Sequence, residues 1–199
     1  MIGKMKSFIT NLLVEGNIIR EEQRELYEYC VEGLIETAGN ILLTLFLGVA
    51  LGKVTDTLVF LVLFVSLRST CGGYHVKNEN LCFFLSIALF LAVILSAGYL
   101  GRYFDLMCSA KQFLISILLI LLLAPVSCAH KKLDRKKRSR LKSYIWSELT
   151  VVSIIYSVLV IAGNRRYSFV ISNAMLLVSM LLSIQYLENM REKHHRLGA

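Results

Sequence analysis

SILLILLLA, residues Ser116 to Ala124, is apolar on every face whether wound at a helical or a strand period. A half-buried strand alternates and a soluble surface helix keeps a polar stripe, so such a run asks for hydrocarbon around it. The pattern recurs along the chain. Nearly uninterrupted apolar stretches fall at Thr37–Gly52, Val54–Leu67, Leu81–Leu100, Phe113–Ala129, Ile145–Ala162 and Ser168–Leu187, most approaching the roughly 20 residues that cross a bilayer as a helix. The first two are separated by little more than Lys53, which fits a tight helical hairpin, a tilted pair or a partly re-entrant one.

Composition agrees. Hydrophobic residues make up 56% of the 199, against roughly 45–50% in soluble domains, and the mean hydropathy is +0.61. A membrane barrel needs alternating segments of roughly 10 residues, which the chain lacks. The sequence therefore predicts an all-α, polytopic membrane protein with about six transmembrane segments. We read it as a single membrane domain over 1–199: an N-terminal amphipathic helical region at 1–36, a transmembrane core at 37–187 and a tail at 188–199. No small-residue cleavage site follows the short apolar run near the N-terminus, so no secretory signal peptide is expected there.

Charge sets the expected topology. With both termini in the cytoplasm, seventeen lysines and arginines fall on the cytoplasmic side and five, Lys53, Arg102, Lys111, Arg165 and Arg166, on the other. That asymmetry follows the positive-inside rule. Eight of the seventeen crowd into Lys131–Lys142, a juxtamembrane run drawn to anionic head groups. The net charge of +8 thus calls for a lipid membrane and no nucleic acid. Five cysteines without a C-x-x-C pair, most of them cytoplasmic or nearly so in this topology, do not make a disulfide framework.

The polar break between the second and third apolar runs carries the chemistry. It reads Arg68-Ser-Thr-Cys71-Gly72-Gly73-Tyr-His75-Val-Lys-Asn-Glu-Asn-Leu-Cys82. On one straight helix His75 and Cys82 would stand roughly 10 Å apart along the axis. Gly72 and Gly73 break the helix, leaving His75 on a turn that can fold back toward Cys82 at the start of a helix resuming near Leu81, capped by Asn78 or Asn80. A thiol there meets unpaired amides and the positive end of the helix dipole, which favour thiolate, and an imidazole can take its proton. Two other readings stay open: a cysteine that only packs and a histidine that is only solvated, or Cys71, His75 and Cys82 as three metal ligands at a spacing unlike usual zinc sites. Arg68 either anchors a span by snorkelling or orients a substrate oxygen. Glu32 and Glu36 open the first span, paired with Arg68 or His75 or solvated at the interface.

The run Arg68, Gly72-Gly73, His75 and Cys82, set between apolar spans in the first half of a short chain, resembles the accessory gene regulator B (AgrB) family of bacterial membrane peptidases. Tyr29-Cys30-Val31-Glu32 resembles the family's Tyr-Gly-x-Glu/Gln element, with Cys30 where glycine is common, and Ala124-Pro125 followed by a basic loop completes a likeness from Glu28 to Tyr144. The resemblance implies Cys82 as nucleophile, His75 as base, and Arg68, Glu32, Gly72 and Gly73 as supporting or substrate-orienting residues, with no metal and no cofactor. It further implies a bacterial cell membrane location with the site facing the cytoplasm, a small propeptide substrate (AgrD-like) in quorum sensing, and room for a homodimer. The expected reaction is cleavage through a thioester acyl-enzyme and cyclisation of the product to a thiolactone or lactone. A small transporter or channel subunit is the alternative, with Asn40, Glu148 and Asn173 along a path.

The charge asymmetry has a direct check. A membrane-impermeant thiol reagent applied to intact cells should leave a chain retaining Cys82 as its sole cysteine unmodified and should label it after permeabilisation; labelling from outside would invert the topology.

Overall fold

Hydrocarbon holds no water to satisfy a backbone amide, so a chain this apolar must close its hydrogen bonds within helices or a sealed barrel. The computed structural model describes residues 2–16, 19–72, 79–99, 105–126 and 135–197, with the side chains of some helical positions, Glu32 and Cys82 included, outside the description. It is all-helical: α1 (Ile2–Glu15), a 3-10 turn (Glu21–Gln23), α2 (Arg24–Ala50), α3 (Val54–Cys71), α4 (Glu79–Tyr99), α5 (Leu106–Leu123), α6 (Arg135–Ile161) and α7 (Arg165–Leu197), with no strand among the described residues. Stretches of α2, α3, α5, α6 and α7 are long and apolar enough to cross a membrane, and α4 adds a shorter apolar helix, Phe83–Tyr99. These are the six segments marked by the sequence.

Their ends differ from expectation in two places. The fourth span, expected at Phe113–Ala129, lies at Leu106–Leu123. It begins where the Asp105 carboxylate accepts the Met107 N–H at 3.3 Å, an N-cap, and stops because Pro125 disfavours helical backbone at Ala124, which is extended. In the N-terminal region, α2 runs unbroken through Glu36. The polar turns from Arg24 and the apolar span at Gly33–Ala50 therefore share one helix, and only α1 is a separate amphipathic helix. Phe8 and Leu12, one turn apart on α1, are exposed, as suits a helix lying on a membrane surface. Arg24 ties α1 to α2 by donating to the Asn11 side-chain oxygen at 2.6 Å, and its pairs with Glu21 and Glu28 raise its pKa above the ordinary value.

α2 and α3 form a close hairpin rather than a re-entrant pair. The turn uses Gly52 at φ +63°, and a Cβ at Gly48 would stand 2.4 Å from the Thr57 hydroxyl oxygen, so the two helices meet nearly backbone to side chain. With 18 residues, α3 is about 27 Å long, close to the hydrocarbon thickness.

α7 is the central helix: 56% of its span is buried, against 12–28% for the other four long spans. Its inward face carries Ser168, Ser172, Met175, Ser179 and Leu182, all buried and spaced at three or four residues. Helices α3, α4, α5 and α6 pack around it. The Ser109 hydroxyl on α5 donates to Ser172 at 3.1 Å and meets the Tyr156 hydroxyl of α6 at 3.0 Å; one turn along, the Phe113 and Tyr156 rings stack 3.9 Å apart. Arg166 pairs with the fully buried Asp56, joining the starts of α7 and α3. Among the described residues, Lys53, Lys111, Arg165 and Arg166 gather toward that end of the bundle, whereas Arg24, Arg68, Arg138, Arg140 and Lys142 lie toward the opposite one.

Candidate active site

At that opposite end, α3 and α5 finish while α4 and α6 begin. Gly72 ends α3 at φ +79° and ψ −165°, a region reserved in practice for glycine. A Cβ there would lie 2.6 Å from the Val126 carbonyl oxygen, and the Val126 N–H donates to the Cys71 carbonyl at 3.1 Å. The glycine is thus required twice, for backbone conformation and for contact between the ends of α3 and α5. Gly73 and His75 lie outside the described residues, so the structure does not place His75 relative to Cys82.

The chain is helical again from Glu79, two residues earlier than the expected Leu81. Asn80 is therefore inside the first turn rather than capping it, and Asn78 is outside the described residues. Cys82 is the fourth residue of α4, still in the turn whose backbone N–H groups lack intrahelical acceptors. Its backbone alone is described, as is that of Glu32 on α2.

Cys71 sits differently. It is fully buried, in one apolar cluster with Leu67, Ile120, Ala124 and Val126, where a thiol behaves as a small hydrophobe that no substrate carbonyl reaches. Enclosure of Cys71 also counts against the three-ligand metal reading, whose other members, His75 and the Cys82 side chain, lie outside the described residues. Cys30, on α2, and Cys108, at the start of α5, are exposed.

Two features of the site were not read from sequence. Glu148 on α6 accepts hydrogen bonds from Thr70 at 2.8 Å and from Ser66, both on α3. It clasps the end of α3 to α6 rather than lining a path. The second is a cavity of about 270 Å³ between α2, α3 and α4. Its wall is polar toward the site, with Thr37, Arg68, Ser69 and Ser86, and apolar farther in, where Phe60 and Phe90 lie. Arg68 is half-buried, its guanidinium carbon 5.7 Å from the centre of the Phe64 ring, a cation–π distance. Arg68 and the second turn of α4 therefore face one another across this space. The sequence signal for the cavity was Asn40, a polar residue inside an apolar run.

A polytopic helical membrane protein with a glycine-broken helix end and a cysteine in the first turn of the next helix is the class these features define. The chain belongs to the accessory gene regulator B family, whose model matches residues 6–186, beyond the Glu28–Tyr144 likeness seen by motif. It is similar to "Putative AgrB-like protein 2" of Clostridium perfringens (strain 13 / Type A), 27% identical over 140 residues, 67% of this chain and 65% of that protein. It is also similar to "Putative AgrB-like protein" of Clostridium perfringens (strain SM101 / Type A), 23% identical over 193 residues, 94% of this chain and 89% of that one. The chain thus spans just under two thirds of the first relative's length and most of the second's. No solved structure matches.

Gly72 and Gly52 separate conformation from contact. Gly72→Ala should destabilise the protein by about 3 kcal/mol or more, since a Gly-only backbone conformation alone costs about 1–3 kcal/mol and the Val126 carbonyl must also shift. Gly52→Ala, at φ +63° with nothing within 4 Å of a Cβ, should cost about 1–2 kcal/mol. Unfolding in detergent under increasing dodecyl sulfate checks the order; equal losses would mean that the α3–α5 contact contributes little.

Proposed function

We propose that this protein is a membrane cysteine endopeptidase in which Cys82 attacks a carbonyl of a small propeptide and His75 is its base. The observation that carries the reading is the position of Cys82 in the first turn of α4, in a chain of the accessory gene regulator B family. Supporting it, the rival thiol Cys71 is enclosed in the core, and Gly72 turns the chain out of α3 seven residues before α4 begins.

The chemistry proceeds in two stages. His75 takes the Cys82 thiol proton, and the thiolate adds to the scissile carbonyl carbon. Collapse of the tetrahedral adduct breaks the C–N bond, the leaving amine receives the proton from His75, and a Cys82 thioester remains. A thiol or hydroxyl inside the bound product then attacks that thioester, releasing the Cys82 thiolate and closing a thiolactone or lactone ring. A site beside hydrocarbon holds little water, which favours ring closure over hydrolysis. The site faces the cytoplasm in this reading, where a newly made propeptide is available.

Of the three polar residues that suggested a transporter, Asn40 lines the cavity between α2, α3 and α4, while the other two are bonded within the bundle. Glu148 is engaged by Thr70 and Ser66, and the Asn173 side-chain amide donates to the Phe169 carbonyl at 2.8 Å.

Co-expression with a cognate propeptide tests the roles. Cys82→Ala should insert normally and leave the propeptide uncut. His75→Ala should lose at least about a hundredfold in rate at neutral pH, because general acid–base catalysis typically contributes that much or more and a thiol of pKa near 8.5 stays mostly protonated. Cys71→Ala should keep cutting. Cleavage by Cys82→Ala at the normal rate would end the proposal.

A further inference from the structure

We propose that the cavity between α2, α3 and α4 seats one bulky, uncharged apolar residue of a peptide, with the Asn40 side-chain oxygen taking that residue's backbone N–H. The proposal rests on the peptidase reading for what the peptide is, and deepens it by naming what the site selects.

Four observations converge. At about 270 Å³ the space is below the roughly 300–1,000 Å³ of pockets for whole small-molecule ligands, and it suits a single large side chain. Its deep wall, including Phe60, Leu61 and Phe90, favours an aromatic or branched aliphatic group. Asn40 lines it midway, and its side-chain oxygen is buried without a hydrogen-bond partner; such an acceptor carries a desolvation cost, which rotation of the amide toward an incoming donor relieves. Lastly, Ser86 lines the same space, and Cys82 precedes it by four residues on α4. That spacing places the two on one helix face, about 6 Å apart along the axis. A residue held in the cavity would therefore have its carbonyl one helical turn from the position of Cys82.

The lining also discriminates. A lipid acyl chain would fill the apolar end yet offer no donor to Asn40. A lysine or arginine side chain would have to carry its charge in among Phe60, Leu61 and Phe90, at a desolvation cost. A peptide unit bearing a large apolar side chain meets both demands.

Photocapture in lipid nanodiscs tests this on the full chain carrying Cys82→Ala, so that the outcome does not depend on cleavage. The probe is the diazirine analogue of leucine, N-acetylated and N-methylamidated. Its adducts should map to Ile41, Leu61 and Val65. N-acetyl-phenylalanine N-methylamide should suppress them, while the lysine counterpart and decanoic acid should not. Asn40→Leu, which removes the unpartnered oxygen at similar volume, should cut capture by at least about fivefold without loss of fold. Val65→Phe, which fills the space, should also abolish it. Adducts elsewhere, capture unchanged in Asn40→Leu, or displacement by decanoic acid, which would mark a lipid crevice, would each overturn the proposal. Loss of cleavage in the Cys82→Ala co-expression assay with normal capture here would leave both readings standing; capture failing while the unsubstituted enzyme cleaves and Cys82→Ala does not would remove this one alone.

Discussion

Close approach at the buried face of α7 is the constraint on which the bundle depends. Lipid tails are as apolar as leucine, so helices gain little by merely hiding apolar surface from them; association in a bilayer relies on tight packing and internal hydrogen bonds. The serines at 168, 172 and 179 are small enough for neighbours to approach, and Ser172 receives a hydrogen bond from α5. Large apolar residues such as Leu118, Leu122, Ile154 and Val158 face outward, the reverse of a soluble bundle.

α3 carries that order to the site. At one end, Asp56 pairs with Arg166 of α7; at the other, Ser66 and Thr70 bond Glu148 of α6, and Gly72 rests on Val126 after α5. A helix pinned at both ends delivers its last residue to a fixed point, and here the chain leaves toward Gly73 and His75. The position of α4 relative to α3 then sets the width of the cavity that Arg68 and Ser86 share. Loosening any anchor on α3 would move that cavity and the chain's exit point together.

Much of this was legible in the sequence, and the limits have physical causes. Six apolar runs and the break at Gly72 were readable because hydrophobicity and glycine act locally. Helix ends were less so: α5 stops before Pro125 although apolar residues continue, and α2 starts at Arg24 because a surface helix and a span can share one continuous backbone. Glu148 and Asn40 looked alike as polar residues in apolar segments. Only the packing separates them, since Thr70 lies 78 residues from Glu148 in sequence, and Asn40 owes its unpartnered oxygen to three helices meeting. The resemblance already favoured Cys82 over Cys71, and the enclosure of Cys71 adds a reason that no local pattern encodes. The relation of His75 to Cys82 rests on the family motif.

The central claim is covalent, and trapping it is the direct measurement. A propeptide whose internal cysteine and serine residues are replaced by alanine cannot close a ring, so its acyl-enzyme should persist. Intact-mass analysis of the full-length protein followed by peptide mapping should find the acyl group as a hydroxylamine-sensitive thioester on Cys82. An adduct mapped to Cys71 or Cys30, or an uncut propeptide with the unmodified enzyme and no adduct, would contradict the account.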